Sequence, residues 1–190
     1  KINKIYFSDI KFQSIFTPKN INFNGEGKYS FNNLEFLKNN FANNLKNNEI
    51  DLKLNFDFRK SLKVDFLNYK KPNNSLSNLS IYLKKQKDLI KIKELSFKEK
   101  DNVIELKNIN FKNNKLLSFD ELQVETNNNN FFIKKYKKIL IKGSKFDATN
   151  LAKYINKKNK ENFFQKISED IEIDFKNVMA PMSEKLKNFK

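Results

Sequence analysis

The stretch Ile50-Asp51-Leu52-Lys53-Leu54-Asn55-Phe56-Asp57-Phe58 alternates apolar with charged or amide residues without a break. Side chains of a strand change face at every residue, so the apolar residues share one side and the polar ones meet water. The same alternation returns at Leu62, Val64 and Phe66, at Leu79, Ile81 and Leu83, and at Ile171, Ile173 and Phe175. Parallel strands buried on both faces read as continuous apolar runs. These do not, and the pattern predicts an antiparallel sheet with one wet face.

A longer pattern, apolar-x-apolar-x-x-apolar-x-apolar, recurs along the chain. It is carried by Ile5, Phe7, Ile10, Phe12; by Tyr29, Phe31, Leu34, Phe36; by Ile90, Ile92, Leu95, Phe97; by Ile104, Leu106, Ile109, Phe111; and by Leu117, Phe119, Leu122, Val124. A degenerate copy sits at Ile139, Ile141, Ser144 and Phe146. In each full copy a polar pair shifts the alternation by one, as at Ser8-Asp9, Lys93-Glu94, Lys107-Asn108 and Asp120-Glu121. An unbroken strand would turn its second half outward after such a shift. A bulge restores the inward face and bends the strand, whereas a two-residue hairpin turn is the alternative. No pair contains Gly, the favoured turn residue, so the bulge is the expected device.

With only 3 Gly and 3 Pro, corners fall to Asn, which tolerates left-handed backbone. Asn24-Gly25, Pro72 to Asn74, Asn113-Asn114 and Asn127 to Asn130 are the expected turns of a meander. Helix is scarce. Asp147 is placed to cap a short amphipathic helix over 147–156 carrying Leu151, Tyr154 and Ile155, with a turn or two more around Phe163, Phe164 and Ile167. Leu37, Phe41 and Leu45, four apart, offer a weaker helix between Leu34 and Leu45. No domain boundary stands out, and 1–190 reads as a single β segment. The chain lacks an initial Met and ends in renewed apolar spacing at Leu186 to Phe189, which reads as a section of a longer protein whose targeting and anchoring segments lie outside it.

Composition removes much chemistry. Among 190 residues there is no His, Cys or Trp, which excludes His-dependent triads and the ordinary ligands of zinc, haem and iron-sulfur clusters. No catalytic or metal constellation is present, and neither an enzyme nor a cofactor is expected. Glu169, Asp170, Glu172 and Asp174 are dense but lack the Gly and spacing of a calcium loop. Lys142-Gly143-Ser144 lacks the Gly-rich lead of a phosphate loop. No apolar run is long enough to span a bilayer as a helix. The net charge of +16 suggests a polyanion-binding module, yet Arg59 is the only Arg and the Lys are dispersed, so a solvated basic surface is the simpler reading.

The 20 Phe would ordinarily be core. A sheet of about ten strands with one short helix has little to cover its apolar face. It either closes as a barrel or sandwich, or bends into a trough whose apolar inside stays available. In the second case the lining would comprise Leu52, Leu54, Phe56 and Phe58, then Ile90, Ile92, Leu95 and Phe97, then Ile104, Leu106, Ile109 and Phe111, and finally Leu117, Phe119, Leu122 and Val124.

The tandem bulged strands joined by short polar turns resemble the AsmA-like proteins of the bacterial envelope, of the YhdP and TamB type. The nearest local match is Ile139-Leu140-Ile141-Lys142-Gly143-Ser144-Lys145-Phe146-Asp147 followed by Ala148 to Ile155, with the strand Asp170 to Phe175 beyond it. It is similar to that family's strand, Gly, apolar residue and Asp, then a short helix. The resemblance implies a mainly β, taco-like, bent antiparallel groove that conducts phospholipid between inner and outer membranes. It implies a periplasmic location, anchorage in the inner membrane by a segment outside this chain, and no enzymatic activity. The expected partners are acyl chains, with neither nucleic acid nor a small-molecule substrate.

Overall fold

The computed structural model describes residues 4–31, 35–46, 49–113, 115–150, 170–180 and 185–189, with side chains left aside for Phe31 and 185–189. The strands are β1 (Ile5–Phe16), β2 (Asn20–Phe31), β3 (Leu37–Lys46), β4 (Glu49–Phe58), β5 (Leu62–Val64), β6 (Tyr69–Lys71), β7 (Ser77–Gln86), β8 (Leu89–Glu99), β9 (Asn102–Lys112), β10 (Lys115–Ser118), β11 (Glu121–Glu125), β12 (Asn130–Lys135), β13 (Ile139–Asp147), β14 (Ile171–Met179) and β15 (Lys185–Phe189). The described helical structure is a single 3-10 turn at Asp65–Leu67. The protein is therefore mainly β, as the alternation predicts.

The chain forms two compact units. The first comprises Lys1–Arg59, Leu76–Lys100 and Leu106–Phe119, and the second Lys60–Ser75, Asp101–Glu105 and Asp120–Lys190, so β9 is divided between them. In the first unit the hydrogen-bonded order is β1-β2-β3-β4-β7-β8-β9, with β10 also on β9. Among the described residues β1 pairs with β2 alone, leaving an open edge that a closed barrel would not have.

Register puts the predicted apolar positions of β1, β2, β3, β4, β7 and β8 on one face, because directly opposed residues share a side. One row runs Phe12, Gly25, Phe41, Leu54, Ile81, Leu95. The next runs Asn39, Phe56, Leu79, Phe97, and on the other side of the first lies Phe23, Asn43, Leu52, Leu83, Ile92.

Bulges hold that face together across the polar pairs. The β1/β2 register shifts between Ser8 and Lys11, where Asp9 takes a left-handed backbone with φ 52°. Phe7 opposite Tyr29 and Phe12 opposite Gly25 then lie on the same side. In β8 the shift leaves Lys93 unopposed, so Ile92 and Phe97 share a face. Asn108 repeats the left-handed backbone in β9. At Asp120 the pattern breaks the strand, ending β10 and starting β11.

In the second unit the order is β11-β12-β13-β14-β15, with β5 and β6 forming a separate hairpin. Phe131, Phe146 and Phe175 form a triangle of rings with centroids 5.3–5.8 Å apart, and Phe66 lies 6.2 Å from Phe146. Each aromatic contact of this kind adds about 1 kcal/mol beyond burial.

Several expectations are corrected. β13 and β14 pair in parallel, so the sheet is mixed. Alternation reports which face a residue takes and says nothing of strand direction. Leu34 to Leu45 is not helical where described: Leu37, Phe41 and Leu45 share a face of β3, since a spacing of four is also a multiple of two. Asn24-Gly25 is no corner but lies inside β2, paired on both sides. The corner is at Thr17 and Asn20, whose backbones bond reciprocally. Phe66 leaves the alternation of β5 in the 3-10 turn. The turns at Asn74 and Asn113, both left-handed, fall as expected. Strand β13 continues to Asp147, and residues 151–156 of the expected helix lie outside the described residues.

The parallel pair carries a testable ion cluster. Glu172 of β14 accepts from Lys138 and from Lys142, the latter at 2.9 Å. Hydrogen bonds from Lys138 and then Lys142 hold its carboxyl down at about 2, against an ordinary 4.5. A depressed folded pKa stabilises above the unfolded value and is lost as pH falls through the folded one. Melting temperature is therefore expected to carry a Glu172 contribution at neutral pH that fades from about 4.5 to about 2. Glu172→Gln should lower the melting point at pH 7, and its curve should close on the parent's as the pH falls toward about 2; a constant gap between the two curves would refute the assignment.

Candidate functional site

The candidate site is the apolar face of the first unit. Of the residues expected to line it, Leu52, Leu54, Phe56 and Phe58 on β4 are half-buried, as are Ile90, Ile92 and Leu95 on β8, while Phe97 is 3% exposed. The register brings these eight residues onto one side. The rings of Phe58 and Phe97 meet at a tilt with centroids 6.0 Å apart, and those of Phe56 and Phe58 likewise at 6.2 Å.

The remaining residues are more dispersed. On β9 Leu106 and Phe111 are half-buried and Ile109 is buried. Leu117 falls in a register shift and is exposed; Leu116, not Leu117, stands opposite Phe111. Phe119 follows β10 and is half-buried. Ile104, Leu122 and Val124 belong to the second unit, where Ile104 and Val124 are buried and Leu122 opposes Ile133.

Strand β1 adds residues that the repeat pattern marked but the expected lining omitted. Phe7 and Phe12 are 62% and 59% exposed, and Ile5 and Ile10 are exposed with them; Phe16, opposite Ile21 and 70% exposed, extends the same side beyond the repeat, whereas Ile15 opposes Asn22 on the polar one. Phe12 lies 5.9 Å from Phe23 and 6.3 Å from Phe41. Gly25 between them leaves room for the Phe41 ring, whose Cε1 would be 2.7 Å from an added Cβ. A recess of about 250 Å³ opens among Ile5, Phe7, Tyr29, Phe41, Leu54 and Phe56. Tyr29 donates its hydroxyl to the Asp57 carbonyl, and burial followed by the nearby Asp57 charge pushes its pKa up. Ser14 Oγ and Asn43 Oδ1 are buried without a hydrogen-bond partner among the described residues.

The opposite face of this unit is polar and internally paired. Lys84 bonds Asp51 at 2.9 Å, Lys11 bonds Glu26 at 3.1 Å and Lys28 bonds Asp9 at 2.7 Å. Asn78 donates to both Asn55 and Asp57. The Lys28 hydrogen bond, with its charge, lowers the Asp9 pKa, and the bond to Asp51 raises that of Lys84. Such exposed pairs contribute little stability individually, but they neutralise part of the basic surface.

The second unit holds a buried polar network instead of an open face. Asn129, fully buried, donates from Nδ2 to Leu67 O at 2.7 Å and accepts at Oδ1 from the Asp147 N–H at 2.9 Å. Asp147 Oδ1 accepts from the Thr149 N–H and hydroxyl, and Oδ2 from Asn68 Nδ2 at 2.8 Å. Burial works to raise the Asp147 pKa, but the hydrogen bonds from Thr149 and Asn68 outweigh it and hold the carboxyl below its ordinary value. Asn68, left-handed at φ 47°, is bonded in turn by Asn150. With each group satisfied, this arrangement pins the β5/β6 hairpin to the end of β13.

Among the described residues no group of His, Cys, Asp or Glu is placed to hold a metal ion, and no helix is long and apolar enough to cross a membrane. No protein-family model, curated protein or solved structure matches the chain.

Proposed function

We propose that this chain is a segment of an AsmA-like envelope protein that carries phospholipid between the inner and outer membranes, with acyl chains lying on the apolar face of the first unit. One observation carries the reading: rows of apolar residues continue across β1, β2, β3, β4, β7 and β8, and their β1 members remain exposed. Isolated exposed apolar residues are ordinary in soluble proteins, whereas a contiguous apolar patch marks a binding surface. Each methylene buried there contributes about 0.8 kcal/mol, so area alone retains a long acyl chain. Transport by such a face needs no catalytic group.

The test is photo-crosslinking. A benzophenone amino acid at Phe12 or Phe41 is expected to capture phospholipid in cells, and the yield is expected to persist as salt rises. A binding module for nucleic acid or another polyanion would instead lose its ligand steeply with salt. Capture of nucleic acid with that salt dependence, and no lipid at either position, would overturn the proposal.

A further inference from the structure

The apolar rows of the first unit are interrupted at one place by a cation. Along β7, Ser77, Leu79, Ile81 and Leu83 project to the apolar face, and the next residue on that side is Lys85. Its ladder partners are Ile50 on β4 and Ile90 on β8. Lys85 is exposed, and among the described residues no acid pairs with it. The neighbouring Lys84 and Lys91 oppose one another on the polar face, where Lys84 is bonded to Asp51.

The face also has a depth gradient. Phe97, beside Leu79, is buried, whereas Ile90 at the turn end is half-buried and Lys85 beside it is exposed. From Phe56 to Ile50 along β4 is a span of about 20 Å, the reach of an extended long acyl chain. A lysine on an apolar surface lays its stem along the hydrocarbon and sends its ammonium to the water at the rim. That geometry suits an amphiphile whose tail lies toward Phe56 and Phe97 and whose anionic head is at the turn end of β7 and β8.

We propose that Lys85 is the headgroup contact of this face, selecting amphiphiles that carry a phosphate and setting their orientation. The inference rests on the lipid reading above and adds to it a polar residue and a polarity. A phosphate brought to the rim gains a charge-assisted contact with an ammonium that has no competing acid.

The test uses the full chain with dodecyl phosphate and dodecyl maltoside, each below its micelle concentration, and reads binding by calorimetry. The wild-type chain is expected to bind both and to favour the phosphate. Lys85→Gln should weaken dodecyl phosphate about tenfold and leave dodecyl maltoside unchanged, while Lys91→Gln on the opposite face should change neither. Equal binding of the phosphate by wild type and Lys85→Gln, with maltoside still bound, would overturn the headgroup assignment and leave the lipid reading standing. Equal weakening by Lys85→Gln and Lys91→Gln would overturn it in favour of diffuse charge. Failure of the wild-type chain to bind either amphiphile would remove the lipid reading itself.

Discussion

Gly143→Ala is expected to destabilise the protein by about 3 kcal/mol or more, at the upper end of what overpacking costs. A Cβ at Gly143 would lie 2.3 Å from Asn130 O, 2.4 Å from Phe131 Cβ and 2.7 Å from Phe131 Cα. Two of those atoms are backbone, so relief requires moving β12 and not only turning a side chain. Phe131 is also part of the ring triangle with Phe146 and Phe175, so the displacement is transmitted into the core of the second unit. The reason for the close approach is the register shift between β12 and β13, which opposes Gly143 to Phe131 and Lys145 to Asn130, with Ser144 between them. Gly25→Ala is the contrasting substitution. Its nearest contacts are the far atoms of the Phe41 ring, which can swing on the open apolar face, and the change is expected to cost less than about 1 kcal/mol. Chemical denaturation of both variants measures the difference. Equal losses at the two glycines would show that β12 yields as readily as an exposed ring.

The face residues of the first unit were legible in the sequence because a strand's period is two and the polar pairs reset that period visibly. Ser8-Asp9 and Lys93-Glu94 announce a one-residue slip, and with no Gly to turn the chain a bulge absorbs it. What alternation does not encode is the identity of the partner strand. Ile171, Ile173 and Phe175 read the same whether β14 runs with β13 or against it, and the parallel pairing is not written in the alternation of either strand. Local signals also fail where two periods coincide, as for Leu37, Phe41 and Leu45, and where a turn signal is overridden, as for Asn24-Gly25 paired on both sides within β2. At Leu116-Leu117 two adjacent leucines compete for the position opposite Phe111, and the register shift gives it to Leu116. Lys85 was hidden for a different reason. In a chain so rich in Lys, one on the apolar face is conspicuous only once the register is known.

The Asn run at 127 to 130 illustrates the same limit, because its turn was legible and its burial was not. Asn129→Ala is expected to cost about 3 kcal/mol, since it withdraws the donor to Leu67 O and the acceptor of the Asp147 N–H at once, each buried unsatisfied group costing roughly 1–3 kcal/mol. For a chain of this size that corresponds to a fall in melting temperature of roughly 6–12 °C. Asn128, one residue away and exposed, provides the control: Asn128→Ala leaves the turn's backbone bonds between Thr126 and Asn129 in place and should be nearly neutral. Asn129→Asp separates the two roles of the amide. It keeps an acceptor for the Asp147 N–H but loses the donor to Leu67 O, and it sets a second carboxylate near that of Asp147, which the hydrogen bonds of Thr149 and Asn68 hold ionised at neutral pH. It should therefore be at least as damaging as alanine at pH 7 and recover part of the loss as the pH falls and the new carboxyl protonates. A melting temperature for Asn129→Asp equal to that of the parent at pH 7 would mean that Leu67 O finds another donor, and that the hairpin is held by the Phe66 contact with Phe146 in place of the amide.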